Sequence, residues 1–229
     1  MNLRYTVLMM PAFLIGCASL PSLDGRTESR YLDTPSSPRL EASLKLAHKK
    51  QPADSDADTS DVYLLNDAHD AFVARAELID AADHTLDIQY YIWHNDISGK
   101  LLFNLVHRAA ERGVRVRLLL DDNNTDGLDN ILLALDSHPN IEIRLFNPFV
   151  SRRWRALGYL TDFPRLNRRM HNKSLTADNR ATIVGGRNIG DEYFKVGEDT
   201  VFADLDILAT GKVVSEVSED FDRYWASNS

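Results

Sequence analysis

The chain has 229 residues, 44% of them hydrophobic, with 34 acidic against 26 basic side chains and a formal net charge of -8. That length and apolar content suffice for one substantial core with a tail, and the acidic balance argues against nucleic acid as a general partner. A single cysteine, Cys17, excludes an internal disulfide framework and any multi-cysteine zinc site.

Arg4 precedes an apolar run, 5–15, that is too short for a standard membrane span, and Leu14-Ile15-Gly16-Cys17 closes it. Residues 1–17 resemble a bacterial lipoprotein signal with a lipobox. The resemblance implies acylation of Cys17 and a lipid-anchored protein of the bacterial cell envelope that faces the periplasm. Ala18, where an inner-membrane retention signal has Asp, makes the outer membrane the default destination. An ordinary hydrophobic leader with an incidental cysteine is the competing reading. Residues 18–60 are rich in Ser, Pro, Asp and Thr and lack a sustained apolar period, which predicts a flexible tether with room for a brief helical patch at 40–47. His48-Lys49-Lys50 also reads H-x-K, but no acid or glycine pair follows at the spacing met later in the chain.

Globular structure is expected over 61–229. Apolar residues at helical spacing predict a helix over 67–82, and alternation predicts a strand over 85–93. A second helix over 97–112 ends at Gly113, where a left-handed cap is wanted. The run 114–120 is nearly all apolar, as in a strand buried on both faces, and 121–127 is the turn beyond it. A helix over 128–137 and a strand over 141–146 complete a βαβαβ run, hence a parallel sheet with right-handed crossovers. A hairpin at 170–186, a short helix at 189–194, a strand at 201–209 and a closing helix at 211–225 follow. The fold class is therefore α/β, with a mixed central sheet carrying parallel βαβ units.

The stretch MHNKSLTADNRATIVGGRN, 170–188, carries the chemistry. On an extended chain His171 and Lys173 point one way and Asn172 and Ser174 the other, which sets an imidazole beside an ammonium. Asp178-Asn179 between two alternating runs reads as a tight hairpin. Gly185 and Gly186 remove side-chain bulk where a backbone must approach something closely. With the amide of Asn188, these groups offer a nucleophile or proton carrier, a fixed positive charge, a hydrogen-bond donor and an open floor, a set that suits a phosphate ester.

The spacing H-x-K-x4-D-x6-G-G-x-N, matched at every fixed position, is similar to the signature of the phospholipase D superfamily. The phrases LDIQYYIWHND, RGVRVRLLLDDNNT, RLFNP, GYLTDFPRLNRRMHNKS and FADLD resemble its cardiolipin synthase branch over residues 61–227. The resemblance implies an αβα sandwich half-domain with the motif at the ends of central strands. It further implies phosphatidyl transfer between phospholipids, making cardiolipin through a phosphohistidine, with no metal and no cofactor. His171, Lys173 and Asp178 would be the catalytic signature, although Asp178 is read as organising the hairpin. Asn188, Gly185 and Gly186 would line the substrate phosphate, and Asp204, or else Asp206, would be the acid that fixes the imidazole tautomer. Superfamily enzymes oppose two such motifs, and this chain holds one. A homodimer, a separate second half, or a non-catalytic remnant are the open readings, and a homodimeric phosphodiesterase using water is the alternative activity.

Three further groups carry open readings. Arg152, Arg153, Arg155, Arg165, Arg168 and Arg169, interleaved with Trp154, Leu157, Tyr159 and Leu160, are either a fringe for lipid phosphates at a membrane surface or a solvated loop. Asp121 and Asp122 are read first as turn and cap residues, and His94, Asn95 and Asp96 either as substrate contacts or as loop. His69, His84, His107 and His138 show no partner pattern.

Overall fold

The computed structural model describes residues 20, 22–34, 36–48, 59–152, 154–197 and 202–228. Cys17 with the expected signal segment, Arg153 and Val201 lie outside them. In chain order the described elements are α1 (Pro38–His48), β1 (Ser60–Leu65), α2 (Ala68–Ala81), β2 (Thr85–Tyr90), α3 (Ile97–Glu111), β3 (Arg115–Asp121), α4 (Asp129–Asp136) and β4 (Ile141–Phe146). Then come α5 (Arg155–Thr161), α6 (Phe163–Leu166), β5 (Ser174–Ala177), β6 (Ala181–Gly185), α7 (Asp191–Phe194), β7 (Asp206–Gly211) and α8 (Val213–Trp225).

The strands form one sheet in the order β1-β7-β6-β5-β2-β3-β4. β2, β3 and β4 are parallel, as the βαβαβ pattern predicts, and β5, β6, β7 and β1 extend the sheet antiparallel from β2. Alternation along each strand feeds two layers. Leu86, Ile88, Leu118 and Leu120 pack with α2 and α3, while Leu119 turns to the other face and meets Phe221 and Trp225 of α8. α3 begins at Asp96, whose carboxylate accepts from Gly99 N, and Gly113 follows the helix at φ 94. On α8 the buried residues Val214, Ser218, Phe221 and Trp225 recur at helical spacing. Arg117 locks this helix to the sheet: its guanidinium bonds Asp87 at 2.6 and 2.7 Å and Asp222 at 2.8 Å, and lies over the Phe221 ring.

The motif hairpin turns at Asp178 and Asn179, both at φ 53, the left-handed pair of a type I′ turn. Asp178 is fully buried, and its carboxylate accepts from Asp83 N at 2.9 Å, His84 N at 2.7 Å and Thr85 N at 2.8 Å. One side chain thus fixes the register of β5 against β2. This corrects the placement of Asp178 among the catalytic residues, because it sits at the end of β5 opposite His171.

The flexible tether expected over 18–60 is corrected for the residues described there. Arg117 donates to Ser29 O at 3.0 Å, Tyr31 N to Asp222 at 3.0 Å, Thr34 Oγ1 to Asp178 O at 2.7 Å, and Trp225 Nε1 to Ser29 Oγ at 2.9 Å. α1 then packs beside α2 and sends Leu40, 1% exposed, into the main core. Apolar composition gave no sign of this, because much of the docking is hydrogen bonding to buried polar groups. Two differences complete the comparison. β1, an edge strand with only Leu65 buried, was not expected, and the strand expected over 201–209 begins at Asp206.

Asp178→Ala leaves three amide donors without their acceptor, so we predict a loss of about 3 kcal/mol or more in urea unfolding. Leu40→Ala is predicted to cost about 2–5 kcal/mol, as for a core leucine, where a residue on a free tether would stay within about 0.5 kcal/mol.

Candidate active site

β5 runs antiparallel to β2, so its first residue, Ser174, lies opposite Gln89 near the carboxyl end of β2. The chain just before it, 171–173, therefore sits at the edge where β2, β3 and β4 also end, the usual place for a site in such sheets. Asp121, the last residue of β3, holds the entry: its carboxylate accepts from Met170 N at 2.8 Å and from Arg169 at 3.1 Å. Burial pushes the Asp121 carboxyl up, against the lowering pull of its Asn123 and Met170 amide bonds and of Arg169. Asp122 is buried too and accepts from Phe149 N, Thr125 Oγ1 and Arg152. Both acids are structural, as the turn reading had them.

The predicted alternation around the motif holds. Asn172 turns toward α8 and donates to Asp220 at 3.2 Å. Lys173 Nζ reaches back to His171, 3.2 Å from Nδ1 and 2.7 Å from the carbonyl oxygen. The His171 ring is exposed and lies 4.7 Å from the Tyr91 ring, with the Lys173 ammonium 5.7 Å from the same ring. Burial lowers the pKa of Lys173, and the nearby carboxylates of Asp204 and Asp206 pull it back up. An ammonium can only donate, so Nδ1 of His171 is the acceptor in this arrangement and the ring proton is assigned to Nε2. The outward nitrogen then offers a hydrogen-bond donor next to a positive charge.

Asn188 is buried within this rim. Its Oδ1 accepts from Ile92 N at 3.0 Å and its Nδ2 donates to Tyr193 Oη at 3.0 Å, which leaves one amide hydrogen for another acceptor. The glycines are a place of close approach, as the sequence reading has them, and what approaches is the segment that carries Asp204 and Asp206. A Cβ on Gly185 would lie 2.1 Å from Asp206 Oδ1, and one on Gly186 would lie 2.4 Å from Asp204 Oδ1. The glycines let the acid-bearing segment press against β6. Asp206 is corrected as a partner for the imidazole. Its buried carboxylate accepts from Arg75 at 2.9 Å, from Arg187 Nη1 at 3.2 Å and from Arg187 N at 3.1 Å. Asp204 precedes β7 and remains beside Lys173, but among the described residues neither acid hydrogen-bonds His171.

Tyr91 and Tyr193 were missed. Tyr91 lies one step beyond the end of β2, a strand that the sequence reading extends to 93. His94, Asn95 and Asp96 prove to be loop residues: His94 pairs with Glu192 at 3.2 Å, Asn95 donates to Gly127 O, and Asp96 caps α3. His94, Asp96 and Glu192 bring donor atoms within 4.8 Å of one another. Both Asp96 oxygens already accept backbone N–H groups, from Gly99 and Asp191, so the cluster is a capping site.

Comparison with known proteins agrees with this geometry. Cardiolipin synthase C of Escherichia coli (strain K12) is 63% identical over 164 residues, 72% of this chain and 35% of its own length. Cardiolipin synthase A of Pseudomonas entomophila (strain L48) is 31% identical over 171 residues, 73% of this chain and 34% of its own length. The chain thus spans about a third of the length of these curated relatives. Among solved structures, NucT from Helicobacter pylori superposes with a TM-score of 0.55 at 14% identity, covering 74% of this chain and 96% of its own, which shows a shared fold. The family model described as cardiolipin synthase, PLD-like domain, matches residues 76–225, and the chain belongs to that family of the phospholipase D superfamily.

Proposed function

We propose that this chain is one half of a phospholipase D-type phosphatidyltransferase, in which a second H-x-K module faces His171 across the substrate phosphate. The observation that carries the reading is the His171–Lys173 pair at the sheet edge, an exposed imidazole held 3.2 Å from a mostly buried ammonium. Lys173 and the spare amide hydrogen of Asn188 hold the non-bridging oxygens, where charge is concentrated in the transition state. One motif histidine attacks phosphorus and the donor's alkoxide leaves. The other protonates that oxygen, then takes the proton of the acceptor alcohol as this alcohol displaces the histidine. For the donor role in the first half-reaction the ring must carry a proton on Nδ1 as well as on Nε2, so Lys173 has to release Nδ1 and turn to the phosphate oxygens. For attack, the ring must instead carry its proton on Nδ1, and Asp204 is the nearby carboxylate suited to accept it.

The acceptor alcohol is that of a second phospholipid, which makes the product cardiolipin. The similarity to cardiolipin synthases supports this choice, and the exposure of His171 makes hydrolysis by water the competing outcome. The second module is either another copy of this chain or a separate half. Among the described residues no helix is long and apolar enough to cross a membrane, and we place the anchor on acylated Cys17, facing the periplasm.

Phosphatidylglycerol incubated with the chain, alone and with its second half added, is predicted to yield cardiolipin by mass spectrometry. Absence of cardiolipin under both conditions would reject the transferase reading, and release of headgroup alone would favour the hydrolase. His171→Ala should lower the rate by roughly 10²- to 10⁴-fold. Lys173→Met should also abolish most turnover without lowering the melting temperature at neutral pH, because it removes a cation that burial disfavours. The sign follows from linkage. With its folded pKa below 10.5, Lys173 binds fewer protons folded than unfolded, so its contribution to stability rises as pH climbs from the folded pKa toward 10.5. That rise should be missing from the Lys173→Met melting curves.

A further inference from the structure

The connection between β4 and the motif contains a helix that wears its polarity inside out. Around α5, Arg155 donates to Asn123 O and Thr125 Oγ1, Tyr159 Oη donates to Asn123 Oδ1, and Gly158 packs so closely that an added Cβ would lie 2.9 Å from Leu166. Those are the inward positions. The outward positions hold Leu157 and Leu160, 56% and 82% exposed, and Trp154 and Phe163 at the ends of the same surface are 61% and 54% exposed. A short helix in water turns its leucines in and its arginines out. The reverse, fixed by hydrogen bonds and ion pairs to a rigid sheet edge, calls for an apolar medium outside.

We propose that the α5–α6 hairpin is the surface through which this chain seats on a phospholipid bilayer, an inference that rests on the reading of the donor as a membrane lipid. Leu157, Leu160 and Phe163 enter the acyl boundary and Trp154 lies at headgroup level. Charge supports this occupant over a protein face: in a chain of net charge -8, residues 147–170 carry six arginines against one aspartate. Most of these guanidiniums brace Asp121, Asp122, Asp129 and Asn147 from within, and Arg168 is exposed. The hairpin leads through Arg169 and Met170, both pinned by Asp121, straight into His171. A lipid headgroup at the hairpin is therefore delivered next to the catalytic pair without leaving the interface.

The chain holds three tryptophans, and Trp93 and Trp225 are fully buried, so Trp154 reports on the surface. Phosphatidylglycerol vesicles with acyl chains brominated as quenchers are the probe. Wild-type emission is expected to shift to the blue and to be quenched. Leu157→Glu with Leu160→Glu should weaken vesicle binding at least tenfold at an unchanged melting temperature, with Leu160→Glu alone intermediate. Turnover of a short-chain, water-soluble phospholipid should persist in these variants. His171→Ala should bind vesicles like wild type and turn over roughly 10²- to 10⁴-fold more slowly. Absent quenching in wild type, or quenching unaltered by the glutamates, would overturn the proposal. So would loss of a dimer in light scattering with vesicle contact kept. Quenching without turnover in wild type would support the surface and count against the catalytic reading of the site.

Discussion

Three amide hydrogens at the entrance to β2 converge on one buried carboxylate, that of Asp178, and the position of everything at the far end of β5 follows from it. A strand's side chains alternate with a period of two, so a slip of one residue would carry His171 and Lys173 together to the other face of the sheet and take Leu175 out of the main core. Hydrophobicity alone sets this register weakly, because β5 is only four residues long. The carboxylate adds a directional constraint that a slipped pairing cannot satisfy, and the left-handed turn at Asp178 and Asn179 supplies the matching geometry. The acid of the motif thus acts on the reaction through the fold.

A second constraint joins the antiparallel half of the sheet to the site. Asp206 is bound by Arg75 from α2 and by Arg187 from the segment after the glycine pair, and both guanidiniums are as buried as the acid they serve. Such a pair is costly to desolvate and worse to break, so it fixes where β7 must begin. With β7 fixed, the residues just before it are driven against β6, and only glycine leaves room there. Asp204 consequently stands close enough to Lys173 to favour its charge while burial opposes it. The site draws its electrostatics from this contest, with a cation kept partly out of water next to an imidazole that remains in it.

Much of this was legible in the sequence, and the reasons differ from element to element. β2, α3, β3, α4 and β4 follow hydrophobic periods long enough to be unambiguous, and the His171–Lys173 pair follows from strand alternation. The glycine pair was recognised as a place of close approach, but what approaches it lies twenty residues further on, and spacing says nothing about distant contacts. Asp206 and Asp204 look alike on paper; only the two arginines, far apart in the chain, tell them apart. The docking of 22–34 was hidden because a polar segment that hydrogen-bonds to buried groups has the composition of a loose one. Tyr91 was hidden because the strand was expected to run on to 93, and an aromatic residue within a strand reads equally well as core.

The central claim is that His171 and Lys173 form a single site for a phosphate oxyanion. Crystals of the chain soaked in orthovanadate test it most directly. The account predicts ordered oxyanion density against the imidazole of His171 with an equatorial oxygen within hydrogen-bond reach of Lys173 Nζ, and loss of that density in Lys173→Met crystals. An oxyanion bound elsewhere, or density at His171 that survives the loss of the lysine, would contradict it.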